Sequence, residues 1–255
     1  MSAKTSSRAA LAALLDVEES TLDGNVSLRE GLGLDSLAMM RVLTWLEASG
    51  VPMAADRDPP VTVGDVFSLV DSAVLAPGRA AAQDPLMPVL ETGALRLAPI
   101  TNDDIGFLYA LAVEPETGFR WRYRGSVPSL ERFAAELWNQ VLLQFVVRRI
   151  EDGLPVGHVV AYGDEPSLRH TNVGAVFHPL CAGTGLAAQA VSLFVRHLFR
   201  TFPLNKIYLE VPGINWPQLH SGQGTLFQVE GVLRDHDYYA GRCWDKYICA
   251  IYPPE

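Results

Sequence analysis

Apolar positions recur at helical spacing in three short segments near the start of the chain. Ala9, Leu11, Leu14 and Leu15 line one side of a helix predicted over Ser6–Asp16. Leu37, Met40, Val42, Leu43 and Leu46 form the apolar face of a second, Ser36–Ala48, with Gly50 as its stop signal. A third begins at Thr62, a residue suited to an N-cap, and carries Val63, Val66, Phe67 and Val70. The polar loop between the first two offers Val26 and Leu28 for inward packing. Residues 1–75 thus read as one compact all-helical unit, small but within the range that folds alone.

No period is sustained over residues 76–92, where Pro, Gly and Ala dominate, and this stretch reads as a linker. Fully extended, it spans about 55 Å. After Gly93 the pattern becomes mixed. Strands are predicted at Leu95–Ile100, Val141–Ile150, Leu154–Tyr162, Asn172–Phe177, Lys206–Val211, Gln228–Arg234 and Cys243–Tyr252. Helices are predicted at Asp103–Val113, Pro128–Trp138 and Gly185–Thr201, and Asp152-Gly153 marks a hairpin turn. The expected architecture is α+β: an N-terminal four-helix domain (1–75), the linker, and a mixed α/β domain (93–255) around a mostly antiparallel sheet.

Charge refines this division. Residues 1–75 hold eleven acidic and five basic side chains, a balance of -6; the rest hold eighteen and fifteen, a balance of -3. An acidic small unit suits docking onto basic patches of partner enzymes. The total of -9 argues against general nucleic-acid binding, which needs a basic stripe to displace counterions. Apolar runs are interrupted well before membrane-spanning length, and the first residues do not form a signal-peptide core, so a cytoplasmic protein without membrane association is expected. Three cysteines, Cys181, Cys243 and Cys249, and six scattered histidines give neither a disulfide framework nor metal-ligand spacing.

Two motifs carry chemistry. In Gly31-Leu32-Gly33-Leu34-Asp35-Ser36-Leu37 a serine stands at the start of a helix, where an attached phosphate gains from the dipole and the free N–H groups. Helix capping by Asp35 or Ser36 is the plain alternative. The motif, together with Leu28-Arg29-Glu30, Leu43–Glu47 and Thr62-Val63-Gly64-Asp65-Val66, resembles the phosphopantetheine attachment region of acyl and peptidyl carrier proteins. That resemblance implies a 4'-phosphopantetheine arm on Ser36 and a phosphopantetheinyl transferase as partner.

The second motif is Ala182-Gly183-Thr184-Gly185-Leu186-Ala187, between the strand ending at Phe177-His178-Pro179 and a helix. Main-chain N–H groups of such a loop cradle pyrophosphate. With Asn215 and Glu230-Gly231 downstream, it is similar to the coenzyme A-binding segment of GNAT acetyltransferases. The resemblance implies coenzyme A or acyl-coenzyme A contacts from Val176, Phe177, Ala182, Gly183, Thr184, Gly185, Leu186, Ala187 and Asn215. It also implies an oxyanion donor among the amides near Val176 or Phe177. Two positions depart from the family: Ala182 replaces the usual Gln or Arg, and Gly222 stands where many members place a tyrosine acid. His178 and Glu210 are the candidate bases, and His220 or Ser221 the candidate proton donors in place of the tyrosine. Aromatics (Phe119, Trp121, Tyr123, Trp138, Trp216, Trp244) are numerous enough to line a pocket or fill a core, and Arg120, Arg122 and Arg124 alternate among them.

Joining the two units raises their effective concentration for one another. The resemblances imply an acyltransferase of secondary metabolism that moves an acyl group from a phosphopantetheine thioester, or from acyl-coenzyme A, to the amine or hydroxyl of a small-molecule acceptor. Acyl-activating, polyketide or nonribosomal peptide enzymes would be its partners. A loading enzyme that charges its own carrier thiol from acyl-coenzyme A, with or without decarboxylation, is the alternative. A non-catalytic docking module for the carrier is a third reading.

Overall fold

The computed structural model describes residues 2–49, 51, 59–73, 90–118, 121–165 and 167–254. The N-terminal unit holds α1 (Ser2–Leu15), α2 (Ser36–Ala48) and α3 (Val63–Ala73), with a 3-10 turn at Glu19–Thr21. Three α-helices are therefore described here where four were expected. Residues 52–58, between α2 and α3, lie outside the described residues. The segment between α1 and α2, expected as a polar loop, runs partly extended. Its backbone is tied to the approach of α3, Leu28 N–H donating to Val61 O at 2.8 Å and Val63 N–H to Val26 O at 3.0 Å. That ladder leaves Leu28 fully buried.

The starts of α2 and α3 are capped. The Asp35 carboxylate accepts from the N–H of Leu37 and Ala38, at 3.1 and 2.8 Å. At α3, Thr62 Oγ1 accepts from the Asp65 N–H, and Asp65 Oδ2 accepts from the Thr62 N–H, a reciprocal capping box. These bonds hold the Asp65 carboxyl below its ordinary pKa. The stop expected at Gly50 and most of the linker expected at 76–92 lie outside the described residues. The end of that stretch, Leu90–Glu91, forms strand β1.

The second unit is built on β1 to β8: β2 (Leu95–Ala98), β3 (Val141–Arg149), β4 (Pro155–Glu165), β5 (His170–Phe177), β6 (Lys206–Pro212), β7 (Gln228–Tyr239) and β8 (Arg242–Ile251). They form a sheet in the order β1-β2-β3-β4-β5-β6-β8-β7, antiparallel except for the pair β5–β6. A parallel pair needs a crossover, and α6 (Leu186–Thr201) provides it. Ala190, Phe194 and Leu198, spaced by one helical turn, are all fully buried on the sheet. Phe194 meets Phe145 of β3 edge-to-face at 5.9 Å.

Helices α4 (Ile105–Val113) and α5 (Leu130–Glu136) bury Leu108, Ala112 and Phe133 in a separate cluster. A 3-10 turn leads into α4 through a capping box between Thr101 and Asp104, and Asp104 also pairs with Arg148. Thr101→Ala removes one half of that box while Asp104 keeps its arginine. The expected cost is about 1 kcal/mol, read as a lower urea midpoint at unchanged slope.

The two units are not separate globules. One apolar cluster runs from Leu11, Leu43 and Val66 of the helical unit to Phe145 and Phe194 of the sheet unit.

Candidate functional site

Ser36 is the first residue of α2, and the capping work falls to Asp35 before it. Among the described residues no hydrogen bond engages the Ser36 hydroxyl. It is half-buried and lines a cleft of about 420 Å³ with Arg29, Glu30, Asp35, Pro217 and Gln218. Pro217 and Gln218 belong to the sheet unit, in a 3-10 helix (Gly213–Gln218) that follows β6. The serine of the first motif therefore opens onto the other domain.

The same acid that caps α2 binds the sheet unit. Ser221 Oγ donates to Asp35 Oδ1 at 2.6 Å, and the Ser221 N–H donates to Asp35 Oδ2 at 3.2 Å. His220 Nδ1 lies 3.7 Å from Asp35 Oδ2. Leu37, only 8% exposed, enters a cluster with Val211, Phe227 and Cys249, edged by Trp216 and Leu219. At the far end of α2, Glu47 Oε1 accepts from the Gly93 N–H and from Gln189 Nε2, each at 3.1 Å. None of these contacts was foreseen from the sequence. Gly222 carries the one local hint: it stands where a large side chain was expected, and Leu37 fills the space above it.

A gap opens in the sheet beside this contact. β5 pairs with β4 from Tyr162↔Asn172 to Gly157↔Phe177, but with β6 only at His170, Thr171 and Asn172. Beyond Asn172 the two parallel strands diverge. The His178 N–H stays with β4, donating to Val156 O at 2.8 Å. Successive strand amides point to opposite edges, so the N–H of Phe177 faces the gap and that of Val176 faces β4.

The glycine loop lies at the top of the gap. Gly183 and Gly185 adopt left-handed backbone, with φ of +71° and +82°, and Gly185 is the N-cap of α6. Thr184 Oγ1 accepts from the Leu186 N–H at 3.3 Å. Ala182 is exposed, and Ala187 lies in the first turn of α6. The Cys181 thiol behind the loop is buried, which raises its pKa.

The candidate acid–base residues are scattered around this centre. His178 is exposed and caps the turn at Pro179–Cys181, its Nδ1 accepting from the Leu180 N–H at 3.3 Å. Ser221 is held by Asp35, and Asn215 sits in the 3-10 helix after β6. Glu210, on β6, lines a second cleft of about 380 Å³ with Asn172, Tyr208, Glu230, Gly231 and Ile248. It pairs at 3.2 Å with Lys246, which is buried and also faces Asp237 at 3.3 Å. Burial of Tyr162, reinforced by the Glu210 charge, raises the tyrosine pKa.

Glu230 and Arg234 have separate partners. It accepts from Lys206, Tyr208 and Tyr252, while Arg234 pairs with Asp245. Arg122 donates to the carbonyls of Glu136 and Leu137, and Arg124 faces Asp237, so both are engaged within the sheet unit. Trp121 packs over Gly174, and Trp216 stacks on Tyr247 at 4.0 Å. Phe119 and Arg120 lie outside the described residues.

Comparison with known proteins follows the same division. Residues 8–57 match the phosphopantetheine attachment site family, and residues 94–219 match the acetyltransferase (GNAT) domain family. The uncharacterized N-acetyltransferase YoaA of Bacillus subtilis is 24% identical over 178 residues, 66% of this chain and 99% of that protein. The uncharacterized N-acetyltransferase p20 of Bacillus licheniformis is 33% identical over 69 residues, 27% of this chain and 39% of that protein. Among solved structures, a spermidine N-acetyltransferase from Vibrio cholerae in complex with CoA and spermine has a similar fold. Its TM-score is 0.54 at 22% identity, covering 62% of this chain and 95% of that one. An acetyltransferase of the GNAT family from Bacillus anthracis gives a TM-score of 0.52 at 19% identity, covering 64% and 98%. This chain joins a phosphopantetheine attachment domain to an acetyltransferase domain of the GNAT family.

Proposed function

We propose that the chain transfers an acyl group carried on Ser36 to the amine or hydroxyl of a small acceptor, with its own acetyltransferase domain as catalyst. The observation that carries this reading is the seat of α2. Ser36 is half-buried, its hydroxyl has no hydrogen bond among the described residues, and it lines a cleft with Pro217 and Gln218 of the acetyltransferase domain, while Asp35 beside it is bound by Ser221. A carrier serving only enzymes in trans has no need of such a contact.

The attachment domain implies a phosphopantetheinyl transferase as partner. Ser36 suits the arm because its hydroxyl stands at a helix start, where the adjoining amides and dipole favour a phosphodiester. Bound there, the arm supplies the acyl group as a thioester. The acceptor's nitrogen or oxygen bonds to the carbonyl carbon, the carbon–sulfur bond breaks with its electrons on sulfur, and the proton leaving the acceptor balances the one gained by the thiol.

The residues flanking the sheet gap fit the remaining needs. The Phe177 N–H, directed into the gap, is the donor for the oxyanion. Glu210, in the cleft on β6, receives the acceptor's proton. His178 is assigned to the turn it caps. Ser221 is assigned to carrier docking through Asp35.

The test is a single-turnover experiment on full-length protein carrying an acetyl or longer acyl group on Ser36, mixed with a panel of primary amines and alcohols. Intact mass should show loss of the acyl group from the protein, with the matching amide or ester in solution, at a rate independent of protein concentration. Acyl groups that stay on Ser36 across the panel, or a rate that scales with protein concentration, would remove the reading in cis.

A further inference from the structure

The glycine loop is covered by the chain's own N-terminal domain. A Cβ placed on Gly185 would lie 2.8 Å from Met40 N and 3.1 Å from the carbonyl carbon of Met39. Both are backbone atoms of α2, which cannot swing aside as a side-chain end can. The guanidinium of Arg29 lies over Gly183, and the side chain of Leu37 lies over Gly222. Gly183 and Gly185 precede α6, and Gly222 sits in a 3-10 turn (His220–Gly222) nearly forty residues further on. All three face one stretch of the carrier domain, Arg29 to Met40. All three are buried.

A phosphate group bound at a helix N-terminus needs the first-turn N–H groups and an open approach to them. In this chain α2 takes that approach.

We propose that α2 of the carrier domain and the pyrophosphate of free coenzyme A compete for one seat, so that the docked chain takes its own carrier in place of coenzyme A. This rests on the reading of Ser36 as the donor site. It follows that the acyl group reaches Ser36 in a separate charging reaction, carried out while the carrier is undocked, by an enzyme that forms thioesters on carrier thiols.

The experiment is calorimetric titration of coenzyme A into the full-length protein and two variants that unseat α2 from opposite ends. Gly222→Leu collides with Leu37. Glu47→Arg breaks the bonds to Gly93 and Gln189 at the other end of α2 from Ser36. If the docked form holds all but about a tenth of the population, each variant should bind coenzyme A roughly tenfold more tightly than the wild type. Should Gly222→Leu misfold by pressing on Phe227, Glu47→Arg alone decides.

Equal affinity in wild type and variant overturns the competition, as does a variant that is folded and still binds no coenzyme A. The donor reading is scored separately, by release of acyl groups from Ser36. Weak coenzyme A binding relieved by Glu47→Arg, with no acyl release, would keep the competition and remove the donor reading. Acyl release with coenzyme A affinity unchanged would do the reverse.

Discussion

Ser36→Ala should abolish attachment of the phosphopantetheine arm completely while leaving stability within about 0.5 kcal/mol of the wild type. The two halves of this expectation come from different atoms. Attachment needs the hydroxyl oxygen, and alanine has none. Folding needs the helix cap, and that is supplied by Asp35, whose carboxylate accepts from Leu37 and Ala38. Alanine is also a good residue for the first turn of a helix. Incubation with a phosphopantetheinyl transferase and coenzyme A, followed by intact mass, checks the first half. A urea titration checks the second. A mass gain in the variant would move the arm to another residue. A large loss of stability would mean that Ser36 serves the fold, and mass data alone would then be ambiguous. Asp35→Ala makes the converse control: it removes the cap, at a cost of about 1 kcal/mol, together with the link to Ser221.

The separation of Asp35 from Ser36 also shows what the sequence can resolve and what it cannot. Capping by either residue was equally compatible with the order of letters, because both have short oxygen-bearing side chains. Only the backbone geometry at the helix start assigns the cap to one and frees the other. The Thr62 cap was easier to read, since it stands directly before the apolar run it opens, although its reciprocal partner Asp65 was not foreseen. The glycine loop was legible for the same reason: a strand, a tight turn and an amphipathic helix are all local patterns. α6 duly places Ala190, Phe194 and Leu198 on the sheet.

Errors at element ends have a local cause as well. β7 was expected to stop at Arg234, because Arg234-Asp235-His236-Asp237 reads as a polar turn. The strand instead continues to Tyr239, crossing this stretch with a register shift against β8 and with Asp235 at a positive φ of 48°. Neighbouring charges hold it: Arg234 and the Asp235 N–H both bind Asp245 across the pair. An irregular strand with polar residues on both faces lacks the alternation that identifies strands from sequence.

The contact between domains was not legible at all. Asp35 and Ser221 are 186 positions apart, and no periodicity connects them. The linker composition and the acidic balance of the carrier suggested a tethered unit reaching toward partners. The packing of Leu37 against Val211 and Phe227 instead gives that unit a fixed seat. Gly222 appeared only as a departure from the usual family residue. With Leu37 above it, the same glycine becomes the complement of a carrier side chain. Two oddities read separately, a missing side chain and an appended domain, are thus one feature.

Lowering the pH from 7 to 5 should cost the wild type about 2 kcal/mol more stability than it costs His158→Gln. His158 is 3% exposed, hydrogen-bonds through Nε2 to Gln144 Oε1 at 2.9 Å, and meets Trp121 edge-on at 5.8 Å. Burial, and secondarily the nearby Arg122 charge, push its pKa down to about 3 from the ordinary 6.5. The sign follows from proton counting. Below pH 6.5 the unfolded chain takes up a proton on this histidine, and the folded chain does not until the pH approaches 3. The full stability is therefore present above 6.5 and declines as the pH falls, by about 1.4 kcal/mol per unit across that window. From 6.5 to 5 the loss is about 2 kcal/mol, a sizeable part of a typical domain's stability. Glutamine keeps an amide in reach of Gln144 and does not titrate. Asp65, Asp152 and Asp245, whose pKa values are lowered by hydrogen bonds, contribute equally to both proteins and drop out of the comparison. Urea midpoints at the two pH values, followed by tryptophan fluorescence, measure the difference. Parallel losses in wild type and variant would mean that His158 is charged inside the folded domain, with a water or an acceptor beside it that the packing against Trp121 does not provide.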